Sequence, residues 1–332
     1  MNNSLVIFRV IGNRKIGLGH IYRAITIADE LKDNKIIFIS DLSNRRILNH
    51  LVPKKYKVLI FKKMDIVRKI VQKNPVLVIN DILSTKKSDV ESYNKNKIRT
   101  INFEDLGQGA KYADLTINEI YDNPLNNNKN TLWGNEYFFL RKEFNTIKPR
   151  PFKKKLSNVL ITFGGSDQHN LTLKTYLTIK DICKDNSIRI HIVTGPAYKY
   201  LSLLYKETYH NTNVEIHHST GIISKIMRKC DIAISSNGRT VFELAHMNLP
   251  TIVMPQHKRE QTHTFSSIET GFILLKMYKK DITLNKLKKS FNSLIEDNIF
   301  RKELFTKMKK INFIKTKRKT ISKIKEILAK NI

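Results

Sequence analysis

The stretch KIGLGHIYRAITIADEL (residues 15 to 31) sets Gly17, Gly19 and His20 directly before a helical pattern with apolar positions at 21, 24, 25, 28 and 31. The chain has only 12 glycines in 332 residues, so each asks for a local reason. Here the absent Cβ lets a bound group approach the backbone, and a helix start offers N–H groups to an anion. A histidine at such a mouth is a base that works near neutral pH. The competing reading is a histidine that caps or packs locally. Arg23 stands near the place of the third glycine of a dinucleotide fingerprint, and no Gly-Lys-Ser/Thr of a P-loop follows, so the pattern is neither of these.

The second half repeats the theme. LITFGGSDQHNLT carries Gly164 and Gly165, then Ser166 and Asp167, with Asn170 as the expected helix N-cap. ISSNGRTVFELAHMNLP sets Ser235, Ser236, Asn237 and Gly238 before a helix bearing Glu243. Such helix starts suit a diphosphate, and Glu243 suits the two hydroxyls of a ribose, or is simply a solvated carboxylate. PQHKREQTHTFSS adds Arg259, Glu260, Gln261 and His263, a set that would orient a sugar or merely begin a helix. Glu104 and Asp105 of INFEDLGQGA end another strand, where they would tune a histidine or close a turn. There is no D-x-D to hold Mg²⁺ and no H-E-x-x-H, and the adjacent His217 and His218 suit no common metal site. No metal and no cofactor is expected.

Short apolar runs alternate with helical patterns along the chain, the signature of parallel β-α-β units. Helices are expected over 20–32, 42–51, 64–73 and 85–96, then over 171–183, 198–207, 221–229, 239–247 and 260–270. The alternation pauses at NTIKPRPFKKK (145 to 155) and restarts at SNVLITF. This predicts an α/β chain of two doubly wound domains, 1–148 and 155–314, with a terminal helix over 315–332. In such domains ligands sit beyond the carboxyl ends of the strands.

The formal net charge of +31 comes mostly from lysine, 45 Lys against 15 Arg, spread along the chain. Lys-, Asn- and Ile-rich usage reads as compositional bias, and no DNA- or RNA-binding motif accompanies it, so no specific nucleic-acid partner is expected. Weak association with an anionic membrane surface is the functional alternative. In KTKRKTISKIKEILAK (315 to 330), Ile321, Ile324, Ile327 and Leu328 share one helical face, which fits a helix docked on the body as well as one lying on a membrane. Cys183 and Cys230 lack C-x-x-C spacing and read as buried thiols of a reducing compartment. No signal peptide or membrane-spanning run is apparent, so a cytoplasmic location is expected.

Taken together and in order, IGLGHIYRA, NDIL, INFEDLGQGA, LITFGGSDQHNLT, SSNGRTVFELA and REQTHTF resemble the spore coat polysaccharide and pseudaminic-acid pathway family of UDP-sugar hydrolases. That family is related to the MurG-type glycosyltransferases of GT-B fold. The resemblance runs from about residue 5 to about residue 280. It implies two Rossmann-like domains facing across a cleft that holds a UDP-sugar, with a C-terminal helix returning to the first domain. It implies that His20 activates water. Gly164, Gly165, Asn170, Ser236, Asn237, Gly238 and Glu243 would hold UDP, and Arg259, Glu260 and Gln261 would lie near the sugar. Gly17, Gly19 and Arg23 would complete the substrate contacts. The best-known activity of the family removes UDP from UDP-2,4-diacetamido-2,4,6-trideoxy-β-L-altrose, and the missing D-x-D predicts that this chain would do so without metal. A transferase that passes the sugar to an acceptor shares the same fold and UDP site.

Overall fold

In the computed structural model, which describes residues 4–12, 18–121 and 124–329, the chain forms two compact units. One comprises Met1–Arg141 with Phe313–Ile332, the other Lys142–Asn312. The change of unit precedes Pro149 and Pro151, because Lys142–Asn145 already forms a 3-10 turn of the second unit. There Phe144 is buried, and Glu143 accepts a hydrogen bond from Ser224 N at 3.0 Å.

The first unit runs β1 (Leu5–Val10), α1 (Gly19–Glu30), β2 (Lys35–Asp41), α2 (Arg45–Leu51), β3 (Lys57–Phe61), α3 (Ile66–Val71), β4 (Leu77–Asp81), α4 (Lys87–Lys95), β5 (Arg99–Phe103), β6 (Leu115–Asn118) and β7 (Thr131–Trp133). Its seven strands are ordered β3-β2-β1-β4-β5-β6-β7 and every pairing is parallel. Such a sheet is covered on both faces, which is why its strands are nearly continuous apolar runs. Val6 and Phe8 of β1 pack in one core layer, whereas the alternating Ile7 packs in the opposite one.

The second unit runs β8 (Asn158–Thr162), α5 (Leu171–Asp185), β9 (Arg189–Thr194), α6 (Leu201–Thr208), β10 (Val214–His218), α7 (Ile223–Lys229), β11 (Ile232–Ser235), α8 (Thr240–His246), β12 (Thr251–Val253), β13 (Phe272–Leu274), α9 (Lys280–Glu296) and α10 (Asn298–Lys309). Its order, β10-β9-β8-β11-β12-β13, is again all parallel.

The last helix, α11 (Ile314–Ala329), belongs to the first unit. Ile321, Ile324 and Ile327 are buried in that unit's core, with Leu328 packed against it, so the apolar face is spent on docking and the exposed residues include Lys315, Arg318, Lys319 and Lys325. No helix among the described residues is long and apolar enough to cross a membrane.

The helix expected over 260–270 does not form. Lys258–Thr262 and Ile268–Thr270 are short 3-10 turns. The Asn237 side chain donates to the carbonyls of Glu260 at 2.8 Å and His263 at 3.0 Å, competing with an α-helical ladder there, and Glu260 O accepts only the 3-10 bond from His263 N.

Candidate active site

In the first sheet the strand order reverses between β1 and β4, the switch point at which doubly wound sheets bind ligands. His20, in the first turn of α1, follows β1, and Asp81 is the last residue of β4. Nδ1 of His20 bonds Oδ1 of Asp81. Arg23 lies one helical turn on from His20, on the same face. Its Nε donates to Asp81 Oδ2 at 2.7 Å and its Nη2 to Asp81 Oδ1 at 2.5 Å. Its Nη1 donates to Glu119 Oε1 at 2.8 Å and also to Glu104. The neighbouring strands β4, β5 and β6 thus present Asp81, Glu104 and Glu119 side by side at the carboxyl edge of the sheet, around one buried guanidinium that also lies 5.1 Å from the Phe103 ring.

Burial is the largest influence on Asp81 and pushes its carboxyl up, but Arg23 and His20 together hold it below the usual carboxylate range. Arg23 is held above its ordinary value in the same way: burial opposes its charge, and Asp81 and Glu104 outweigh burial. An ionised Asp81 facing Nδ1 fixes the proton there. Arg23 Nη2, 3.2 Å from Nδ1, is a second donor to the same Asp81 oxygen. His20 therefore carries its lone pair on Nε2, the tautomer needed to accept a proton.

Of the two carboxylates in INFEDLGQGA, Glu104 serves Arg23. It does so from a left-handed backbone with φ 49°, uncommon for a non-glycine residue. Asp105 closes the turn, accepting from Thr85 N at 3.0 Å, Thr85 Oγ1 at 2.5 Å, Asn102 Nδ2 at 2.7 Å and Gly107 N at 2.8 Å. Gly19 is the first residue of α1, whose N-terminus has no side-chain cap and no acidic residue in its first turn. Gly17 lies outside the described residues. Arg23 is placed behind His20, with all three guanidinium nitrogens bound to carboxylates, which suits positioning rather than contact with a substrate.

The second sheet reverses between β8 and β11, and the two glycine-bearing loops follow these strands. Gly164 has φ 76° and open space where a Cβ would stand, so it is required by conformation and leaves the backbone approachable. The Gly165 backbone is approached closely by the end of β9: a Cβ on Gly195 would lie 2.5 Å from the Gly165 Cα, so crowding requires glycine at 195. Asn170 occupies the N-cap position of α5 but makes no capping bond, and its φ is 52°. Asp167 caps instead, accepting from Leu171 N and Thr172 N, both at 2.8 Å, while Asn170 Oδ1 accepts from the Tyr198 hydroxyl at 2.5 Å. A carboxylate thus already occupies that helix start.

Ser236, Asn237 and Gly238 follow β11, and Glu243 is buried on α8. Glu260 holds this loop, its Oε2 accepting from Gln256 N at 2.7 Å and Asn237 N at 3.3 Å, with the Ser236 hydroxyl as a further partner. Arg259 and Gln261 lie in the same 3-10 turn as Glu260. Ser235 Oγ and Asn237 Oδ1 are buried without a hydrogen-bond partner among the described residues.

Burial pushes the Glu260 carboxyl up to about 7. A folded value above the unfolded one near 4.5 means a stabilising contribution that is fully present below pH 4.5 and lost as pH rises to 7, worth about 3 kcal/mol. Glu260→Gln keeps an acceptor oxygen without the ionisation. Its stability relative to wild type is expected to rise by that amount between pH 4.5 and 7.5 in urea unfolding. Parallel profiles would show an ordinary carboxyl.

Sequence reasoning quoted NDIL without giving Asp81 a role and passed over Glu119, which follows a strand run. It also set aside His217. Ligand atoms of His191, Glu215 and His217 all lie within 4.8 Å of one another, a grouping able to hold a metal ion.

Residues 159–324, half of the chain, match the glycosyltransferase family 28 C-terminal domain. The Methanocaldococcus jannaschii protein MJ1062 is 30% identical over 270 residues, 75% of this chain and 55% of that protein, so this chain spans about half of that relative's length. The Bacillus subtilis spore coat polysaccharide biosynthesis protein SpsG is 23% identical over 77% of this chain and 79% of its own. The Helicobacter pylori pseudaminic acid cytidylyltransferase and UDP-2,4-diacetamido-2,4,6-trideoxy-beta-L-altropyranose hydrolase is 29% identical over 45% of this chain and 25% of its own. Among solved structures, MurG of Acinetobacter baumannii superposes with TM-score 0.64 at 14% identity, covering 97% of this chain and 99% of that one, a likeness of fold. With that match over half its length and two parallel α/β units of the GT-B kind, the chain belongs to glycosyltransferase family 28.

Proposed function

We propose that this chain is a sugar-nucleotide enzyme of polysaccharide biosynthesis that hydrolyses a UDP-activated diacetamido-trideoxy hexose to free sugar and UDP. The observation that carries this reading is the buried His20–Asp81 pair at the switch point of the first sheet, backed by Arg23. The similarity to SpsG and to the Helicobacter pylori protein, whose name includes a UDP-sugar hydrolase, supports the substrate class.

In the proposed step, water attacks the anomeric carbon while the bond from that carbon to the UDP oxygen breaks, and its electron pair leaves with the diphosphate. His20 Nε2 takes the water proton, and Asp81 stabilises the resulting imidazolium. A diphosphate departs without the acid that an alkoxide requires, so one base suffices where ordinary glycosidases use two carboxylates. The loops at Gly164 and at Ser236 to Gly238 would bind UDP, with Glu243 on the ribose. Arg259 and Gln261 would reach the sugar, and Glu260 would hold the Ser236 loop.

Membership of a glycosyltransferase family favours a second reading, transfer of the sugar to a surface-glycan acceptor. Incubation with a panel of UDP-diacetamido sugars, with and without acceptor and with EDTA throughout, separates the two. Hydrolysis predicts UDP and free sugar in equal amounts without acceptor. UDP release that depends on acceptor makes the chain a transferase, and activity that returns only with added Mg²⁺ or Mn²⁺ rejects the metal-free mechanism. Glu243→Ala is expected to weaken UDP binding by about 1 to 3 kcal/mol, the scale of a lost hydrogen bond to a charged group. Calorimetry that gives an unchanged affinity takes Glu243 out of the site.

A further inference from the structure

We infer that His191, Glu215 and His217 form a binding site for a divalent transition metal of the Zn²⁺ class, on the β9–β10 edge of the second unit. The parallel register sets Glu215 beside His191, and the alternation of β10 brings His217 to the same face. Ile190 and Ile192 of β9 face the core on the other side.

Strands of a sheet covered on both faces are normally apolar throughout, so a buried histidine at position 191 needs a reason. Its Nδ1 lies 3.2 Å from Glu215 Oε2, and His217 Nε2 lies 3.3 Å from Glu215 Oε1. Two ligands bound tetrahedrally to Zn²⁺ at about 2.0 to 2.1 Å stand about 3.3 Å apart. His191 Nδ1 and His217 Nε2 each stand at about that spacing from one oxygen of Glu215, and the three ligand atoms lie within 4.8 Å of one another. The other ring nitrogen, His191 Nε2, lies 3.1 Å from Asn158 Oδ1. An amide oxygen only accepts, so Nε2 carries the proton and Nδ1 turns its lone pair toward the carboxylate. Metal-binding histidines are held by a hydrogen bond of this kind on the second nitrogen.

Neither His191 Nδ1 nor His217 Nε2 makes a hydrogen bond among the described residues. The His191 Nδ1 lone pair facing a carboxylate is repelled unless a cation stands between them. Glu215 is 42% exposed at the side chain and β10 is an edge strand, which gives an ion a way in and leaves a fourth position for water. The glycine loops follow β8 and β11, so the ion would fasten β10 to β9 and take no part in the chemistry proposed above.

The test uses the full chain, stripped with EDTA, freed of chelator and dialysed against Zn²⁺ alone. One Zn²⁺ retained per chain, a melting temperature raised by several degrees, and Co²⁺ substitution giving the visible bands of a tetrahedral ion are expected. Glu215→Gln and His217→Gln, which fold as judged by metal-free melting, should each lower Zn²⁺ affinity at least tenfold. His210→Gln, at an exposed position, should bind as wild type does. Zn²⁺ retention no greater than in His217→Gln, or affinity unchanged in both site variants, overturns the assignment. Turnover in EDTA tests the hydrolase reading and zinc retention tests this one, so each can fail alone.

Discussion

Replacing His20 by alanine lowers the single-turnover rate of UDP release about 10²- to 10⁴-fold, the contribution of a positioned general base, while UDP affinity stays within a few-fold of wild type. The two quantities separate because the loops proposed to hold UDP lie on β8 and β11, and His20 lies on α1. In the variant Asp81 keeps its two bonds from Arg23, so its charge remains compensated and the fold loses one hydrogen bond and the packing of an imidazole. A histidine that only packs gives the opposite result, a lower melting temperature with full turnover per folded molecule. Melting temperature, UDP affinity and single-turnover rate on one sample decide the matter. Asp81→Asn tests the tautomer argument: an amide that offers its N–H to Nδ1 moves the imidazole proton to Nε2, and the rate falls although His20 is intact.

The parts of this site differ in how visible they were along the chain. His20 and the glycine loops were legible because each lies within a few residues of a strand end and a helix start, so their chemistry is local. Arg23 was noted as the residue that breaks a glycine fingerprint and was expected to contact the substrate, but its place among carboxylates was not visible. Its three carboxylate partners come from the ends of β4, β5 and β6, and only the sheet order brings them together. The same holds for His191, which no short spacing joins to Glu215 and His217 and which the β9–β10 register makes their neighbour. Most strands were legible as apolar runs. β7 was not, since Thr131–Trp133 is three residues long and half-buried. α9 and α10 went unread although Leu284, Leu287, Phe291 and Leu294 recur at helical spacing, because no strand among the described residues follows them to mark a further β-α unit. The segment 260–270 misled because Phe265 and Ile268 fit a helical spacing, and nothing local announces that Asn237, more than twenty residues earlier, claims two of its carbonyls.

Arg23→Met is expected to destabilise the first unit by about 3 to 5 kcal/mol, the cost of breaking a buried ion cluster by removing one partner. Methionine fills much of the volume and keeps the contact with Phe103, so the loss is chiefly electrostatic. Asp81, Glu104 and Glu119 would then share a buried pocket with no guanidinium, and burial, which raises the Asp81 carboxyl even in the wild type, would act unopposed by Arg23. This gives the deficit a pH dependence of known sign. In the wild type Asp81 has a lowered value, so its contribution is present above pH 4 and lost as pH falls through the folded value. In the variant the carboxylates gain stability by taking up protons, and the gap to wild type narrows as pH falls from 7 toward 4.5. Arg23→Lys restores charge but cannot fork to three carboxylates, and should recover only part of the loss. Urea unfolding of all three proteins at pH 7 and pH 5, with turnover measured well below the melting temperature, separates the roles. A variant as stable as wild type at pH 7 would show that the cluster is not held by Arg23. A gap that stays constant with pH would assign the loss to packing instead of charge.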